Sequence, residues 1–252
     1  MRQISKRKNN FANEELEVRR QKPGEMQKIT SFLTLFFLLL VMCCKEQDEL
    51  PVTITGPEYF PLTTGNFVTY SVDSVYILQN VEIPYRFQVR VSVGPSFTND
   101  IGNATFILQR HKRVDETKPW KPAGTWTAWT NTRQLVVTEG SVSYIKLKFP
   151  LEKGIGWNGN ELNTLGGNDL CNSKPCDRYE VSAIGPEVIV KQDSISDPLQ
   201  RDYRIEKYSK DIGLVYKESE VFRYCDTGSC FGTGFILTGL KYKMEMIDHG
   251  AL

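Results

Sequence analysis

Between residues 66 and 247 the chain is a succession of short stretches rich in Val, Ile, Thr, Tyr and Phe, and no window there carries a sustained helical period with caps. The first half contributes NFVTYSVDSVYIL (66 to 78), YRFQVRVSV (85 to 93), ATFILQR (104 to 110), RQLVVT (133 to 138) and SVSYIKLKF (141 to 149). The second half adds RYEVSAIG (178 to 185), EVIVKQD (187 to 193), YRIEKYS (203 to 209), GLVYKES (213 to 219) and FGTGFILTGLKYKMEMI (231 to 247). Turn residues divide them, as in TEGS, KDIG and DTGSCFGTG. Several alternate apolar and polar residues, the period of a sheet with one wet face. The last is the clearest: Lys241, Lys243 and Glu245 alternate with Tyr242, Met244 and Met246, which are expected to face inward. In SVSYIKLKF the alternation slips, which predicts a bulge. Short strands at this spacing predict an all-β chain, a single antiparallel sheet domain curled into a barrel, half-barrel or sandwich over residues 57 to 248.

The N-terminal part follows a different logic. Residues 1 to 25 are polar and mixed in charge, offer nothing to pack, and are expected to be disordered or untranslated, with Met26 as the start. From Phe32 to Val41 runs an apolar stretch of about ten residues, half of the roughly 20 that a membrane-spanning helix needs. With Lys28 before it and small residues after it, the stretch has the build of a signal peptide over 26 to 43. Val41-Met42-Cys43-Cys44 resembles the lipobox of lipoprotein signals. Cys44 is the expected lipid acceptor, since Cys43 supplies the small residue before it, and Cys43 is the alternative. A tether from 44 to 56 follows, opening with Lys45-Glu46-Gln47-Asp48-Glu49, and resembles the lysine-plus-acidic tether of Bacteroidota surface lipoproteins. These features predict a protein anchored in the outer membrane by acyl chains such as palmitate, on either the periplasmic or the cell-surface face. One chain holds only marginally, and several make a stable anchor.

Removing residues 1 to 43 takes away eight of the 31 basic and four of the 30 acidic side chains, leaving 23 and 26, a net charge near −3. That balance gives no electrostatic footprint for nucleic acid. Beyond the lipobox pair, four cysteines fall as CNSKPC (Cys171, Cys176) and CDTGSC (Cys225, Cys230). Two C-x4-C units could form a zinc site, but an exported chain meets an oxidising compartment, so local disulfides within each unit are expected. Four cysteines permit three connectivities.

No catalytic constellation is legible. The two histidines, His111 and His249, lie in no motif that would activate a Ser or Cys nucleophile. Paired carboxylates could serve glycoside cleavage, but the sequence selects no pair. The Asn-, Asp- and Gly-rich stretch 156 to 177 lacks the ligand spacing of a calcium loop, and no cofactor or metal is expected. Trp126, Trp129 and Trp157 are candidate ligand contacts, because exposed indoles stack on sugar rings. In a strand, however, Trp126 and Trp129 would face opposite sides.

EYFPLTTGNFVTYSVDSVYI (58 to 77) and IEKYSKDIGLVYKESE (205 to 220) resemble the two ends of a group of uncharacterised Bacteroidota lipoproteins, with a YFPLxxGNxxxYxVDS opening and a KYxKxIGLVYKE hairpin. The resemblance implies export and carries no activity, so it transfers no functional residue. Asp211 stands where the group suggests glycine. In the opening motif Pro61 bends the chain, Gly65 and Asn66 turn it into the strand, and Tyr70 shares a face with Val72. Two functions remain as expectations. The first is a noncatalytic binding or structural domain whose partner is a protein, a glycan or an apolar ligand. The second is a carboxylate-dependent glycan-acting enzyme or glycan-binding surface protein. An apolar concavity would favour the first, and a cleft with two carboxylates about 5 to 9 Å apart the second.

Overall fold

The structure, a computed structural model, describes residues 56–164 and 178–252, together with the backbone of 170, 171, 174 and 175. The strands are β1 (Asn66–Leu78), β2 (Val81–Thr98), β3 (Ala104–Arg113), β4 (Lys121–Thr130), β5 (Gln134–Glu139), β6 (Val142–Lys148) and β7 (Gly156–Asn158). After them come β8 (Leu170–Cys171), β9 (Lys174–Pro175), β10 (Arg178–Ile184), β11 (Glu187–Ser196), β12 (Gln200–Ser209), β13 (Gly213–Tyr224) and β14 (Ile236–Ala251). β8 and β9 pair only with each other. The other twelve form one antiparallel sheet in the order β6-β5-β4-β3-β2-β1-β14-β13-β12-β11-β10-β7, nearly closed into a barrel.

The two ends of that order meet at a seam. Ile145 N–H in β6 donates to the Gly159 carbonyl at 3.0 Å. Trp157 Nε1–H donates to the Ile145 carbonyl at 2.8 Å, and Asn163 Nδ2 to the Ser143 carbonyl at 2.7 Å. Glycine is required at 159, because a Cβ there would lie 2.5 Å from the Tyr179 ring. Side chains therefore complete an edge pairing that the backbone alone leaves short, and sheet edges without such cover invite foreign strands.

β4 is a strand that the turn-like residues of its first half conceal. Pro122 and Gly124 fall where the β3–β4 register slips, between Gln109 and His111, and Gly124 takes φ +103°. A bulge accommodates both residues in a sheet. The slip expected in residues 141 to 149 is a bulge at Lys146: Ile145 faces Val136, Leu147 faces Leu135, and Lys146 stands opposite no residue of β5. Ile145, Lys146 and Leu147 are consequently all buried.

One end of the barrel is closed by the 3-10 turn Pro57–Tyr59 and the residues after it. Tyr59 is buried and Phe60 packs into the main core beside Tyr208, ring to ring at 6.4 Å. Asp211, with φ +62°, donates its N–H to the Glu58 carbonyl at 2.8 Å, and the Tyr70 hydroxyl donates to the Leu214 carbonyl at 2.8 Å. Residues 58 to 77 and 205 to 220 thus pack against each other at this end of the barrel.

Candidate functional site: the barrel lumen

Register defines the inner face. Tyr70 pairs with Val89, Val72 with Phe87, Ser74 with Tyr85, Tyr76 with Ile83 and Leu78 with Val81. On the other side of β1, Val72 pairs with Met244, Ser74 with Tyr242 and Tyr76 with Leu240. Tyr70, Val89, Leu240, Tyr242 and Met244 line a cavity of about 340 Å3 inside the barrel, so every residue in this alternating set points the same way. The expected inward set of β14 is confirmed for Tyr242 and Met244, while Lys243 and Glu245 pair with each other on the wet face at 3.0 Å. Phe60, Tyr208 and Leu214 also line the cavity, on the side of the Pro57–Tyr59 turn.

Toward the other end, the β1–β2 ribbon carries its inner face out of the barrel. Tyr76, Leu78, Val81, Ile83 and Tyr85 are 46% to 62% exposed, all on the face that continues the lumen wall. The outer face of the same ribbon carries the pairs Arg86 with Asp73 at 2.5 Å and Lys241 with Glu82 at 2.6 Å, and between Glu82 and Gly239 it buries Ile77. Apolar side chains clustered at an open mouth mark a surface that another apolar body covers.

The lumen also holds a charge network. Lys146 Nζ lies 2.8 Å from Glu139 Oε1 and 3.2 Å from Glu206 Oε1, and Lys217 Nζ lies 3.2 Å from the same Glu206 oxygen. The Tyr208 hydroxyl donates to Glu206 Oε2 at 2.5 Å. Burial alone would raise the Glu206 carboxyl, but Lys146, then Lys217 and the Tyr208 hydrogen bond outweigh it and bring it to about 2. Glu139 follows the same pattern: burial opposes ionisation, and Lys146 and Lys217 hold it below the ordinary carboxylate value. Burial likewise disfavours the Lys146 ammonium, yet Glu206 and Glu139 hold it well above the usual lysine value.

This arrangement limits the chemistry of the carboxylates. Because Glu139 and Glu206 share one ammonium, they stand as close as the paired carboxylates of glycoside cleavage, which are roughly 5 to 9 Å apart. Such a pair needs one carboxyl raised and protonated as the acid. Both are held ionised here, so this pair supplies no general acid at neutral pH.

Arg110 is different. It reaches the lumen from β3 with its guanidinium stacked on the Trp126 ring, 3.9 Å from the centroid, and its buried Nε has no hydrogen-bond partner. No described carboxylate lies within ion-pair distance of it. Burial lowers its affinity for the proton, a cost that Tyr242 and Glu139 offset only in part.

The three candidate tryptophans have separate fates. Trp126 lines the cavity, whereas Trp129 and Trp157 are buried in the main core, Trp157 at the seam. The tryptophans form no common exposed platform, because strand alternation separates Trp126 from Trp129 and the seam consumes Trp157. Cys225 and Cys230 are joined as a disulfide beside the open end, their Cα atoms 5.8 Å apart. Cys43, Cys44, Cys176 and the side chain of Cys171 lie outside the described residues. Among the described residues there is no cluster of His, Cys, Asp and Glu that could hold a metal, and no helix long and apolar enough to cross a membrane. Sequence reading passed over Arg110, Glu139, Lys146, Glu206 and Lys217. The signal available was a charge two residues from an apolar side chain on the same strand face, as at Leu108 and Arg110.

No protein-family model matches the chain, and no curated protein matches it. The class that fold and site define is an antiparallel β-barrel with a partly hollow, mixed apolar and charged lumen.

Proposed function

We propose that the protein is a noncatalytic binding protein of the cell envelope, held by a lipid on Cys44, whose lumen takes up a small apolar molecule. The observation that carries this reading is the cavity of about 340 Å3, walled largely by apolar side chains and continuous with the exposed apolar face of the β1–β2 ribbon. Ligand pockets fall in the range of about 300 to 1,000 Å3 and are mostly apolar with a few placed polar groups. Titration with a neutral fluorescent apolar probe tests the reading: saturable one-to-one binding is expected, and an absence of saturable binding contradicts it. The anchor rests on the Val41-Met42-Cys43-Cys44 box. Metabolic labelling with a fatty-acid analogue should mark the wild type and fail for Cys44→Ala. Label that persists in that variant and disappears in Cys43→Ala would move the acceptor by one residue.

A further inference from the structure

We infer that the ligand is an amphipathic monocarboxylate, its carboxylate held by Arg110 and its chain lying along the apolar wall toward the ribbon. The inference rests on the binding function proposed above and gives it a ligand class. Its ground is the charge arrangement of the lumen. Three cations, Arg110, Lys146 and Lys217, meet two carboxylates, Glu139 and Glu206, and both lysines are engaged with those carboxylates. Among the described residues one positive charge is left over, and it belongs to Arg110, whose buried Nε lacks a partner there.

A buried donor without an acceptor destabilises the fold, and a fold tolerates that cost most readily where a ligand supplies the acceptor. The guanidinium plane matches a carboxylate through two parallel hydrogen bonds. Stacking on Trp126 fixes that plane before the ligand arrives. Two strand positions nearer the mouth, Lys112 on the same face lies 3.7 Å from the Phe87 ring centroid and adds a second positive charge along the path. The remaining wall (Val89, Tyr242, Leu240) is suited to an alkyl chain, and the exposed inner face of the ribbon extends it. Methionine at 244 adds an adaptable surface to that wall. A neutral apolar ligand would fill the same space but leave Arg110 unanswered.

Displacement of the neutral fluorescent probe from the full chain by decanoate and by decanol, at a pH where decanoate is ionised, tests the inference. Wild type should bind decanoate at least about tenfold more tightly than decanol, the scale of one charge-assisted hydrogen bond. Arg110→Met should erase that preference while keeping the probe and decanol. Arg110→Lys, which keeps the charge and loses the fork, should fall between the two. If the probe binds but decanoate shows no advantage, or Arg110→Met leaves the advantage intact, the ligand class is wrong and the binding function stands. If probe, decanoate and decanol all fail to bind the wild type, both readings fall.

Discussion

Around the seam, β5 and β6 bury residues on both faces, and β7, β10 and β11 bury one face. Leu135, Val136, Val137, Ile145, Leu147, Val181, Val188 and Val190 are all closed to solvent there. Diametrically across the barrel, β1, β2 and β14 bury Tyr70, Val72, Val89 and Met244 near the floor and then expose their inner face beyond them. The sheet, the alternation and the residue types are the same on both sides. Strand length makes the difference. β1 and β2 have 13 and 18 residues, whereas β5 and β6 have six and seven, and at about 3.3 Å per residue the long ribbon carries its inner face beyond the short strands opposite. One side of the barrel thus holds the fold together, and the other keeps apolar surface accessible.

Substitutions at the seam should accordingly unfold the protein, while matched substitutions on the ribbon should not. Lys146→Met leaves Glu139 and Glu206 without their shared cation, and loss of one partner from a buried network costs about 3 to 5 kcal/mol. Denaturant unfolding should show that loss, and Glu206→Gln added to the same chain should recover part of it. Trp157→Ala removes a buried indole and its hydrogen bond to Ile145, with an expected cost of about 3 to 5 kcal/mol. Tyr85→Ala, on the ribbon, should stay within about 0.5 kcal/mol of wild type by the same measurement. A large effect at Tyr85 would mean that the ribbon is part of the stabilising core.

Acid should reach the seam side first. The Glu206 carboxyl is depressed in the fold from the ordinary 4.5 to about 2. Its contribution is complete above the ordinary value and is lost as pH falls through about 2. Stability followed by circular dichroism should therefore drop across that window, and Glu206→Gln should flatten the drop. An acid limb unchanged by that substitution would show that the network does not carry the pH dependence.

Much of the architecture was legible in the sequence, and most of the site was not. β1 spans residues 66 to 78 as its alternation indicates, and the final strand turns Tyr242 and Met244 inward as expected. These segments were readable because a sheet with one wet face writes its orientation into the residue pattern. In β12 the pattern misleads: Ile205 invites burial, yet Glu206 and Tyr208 point inward. Only the partners of Glu206, 60 residues away at Lys146 and on the neighbouring strand at Lys217, make that orientation tolerable. Arg110 and Trp126 meet because Trp126 pairs with Leu108, which puts Arg110 diagonally across on the same face, a cross-strand register that the sequence of neither strand shows by itself.

The central claim is that the lumen opposite the seam accepts an apolar ligand through the ribbon mouth. Leu240→Trp places a bulky ring at that mouth, on the face of Leu240, which is 38% exposed. Leu162→Trp places the same ring at an exposed site away from it. Titration of the neutral fluorescent probe into wild type and both variants decides the claim. The account predicts one saturable site in wild type, weakened by Leu240→Trp and unchanged by Leu162→Trp; equal binding by all three proteins, or no saturable binding by any, would contradict it.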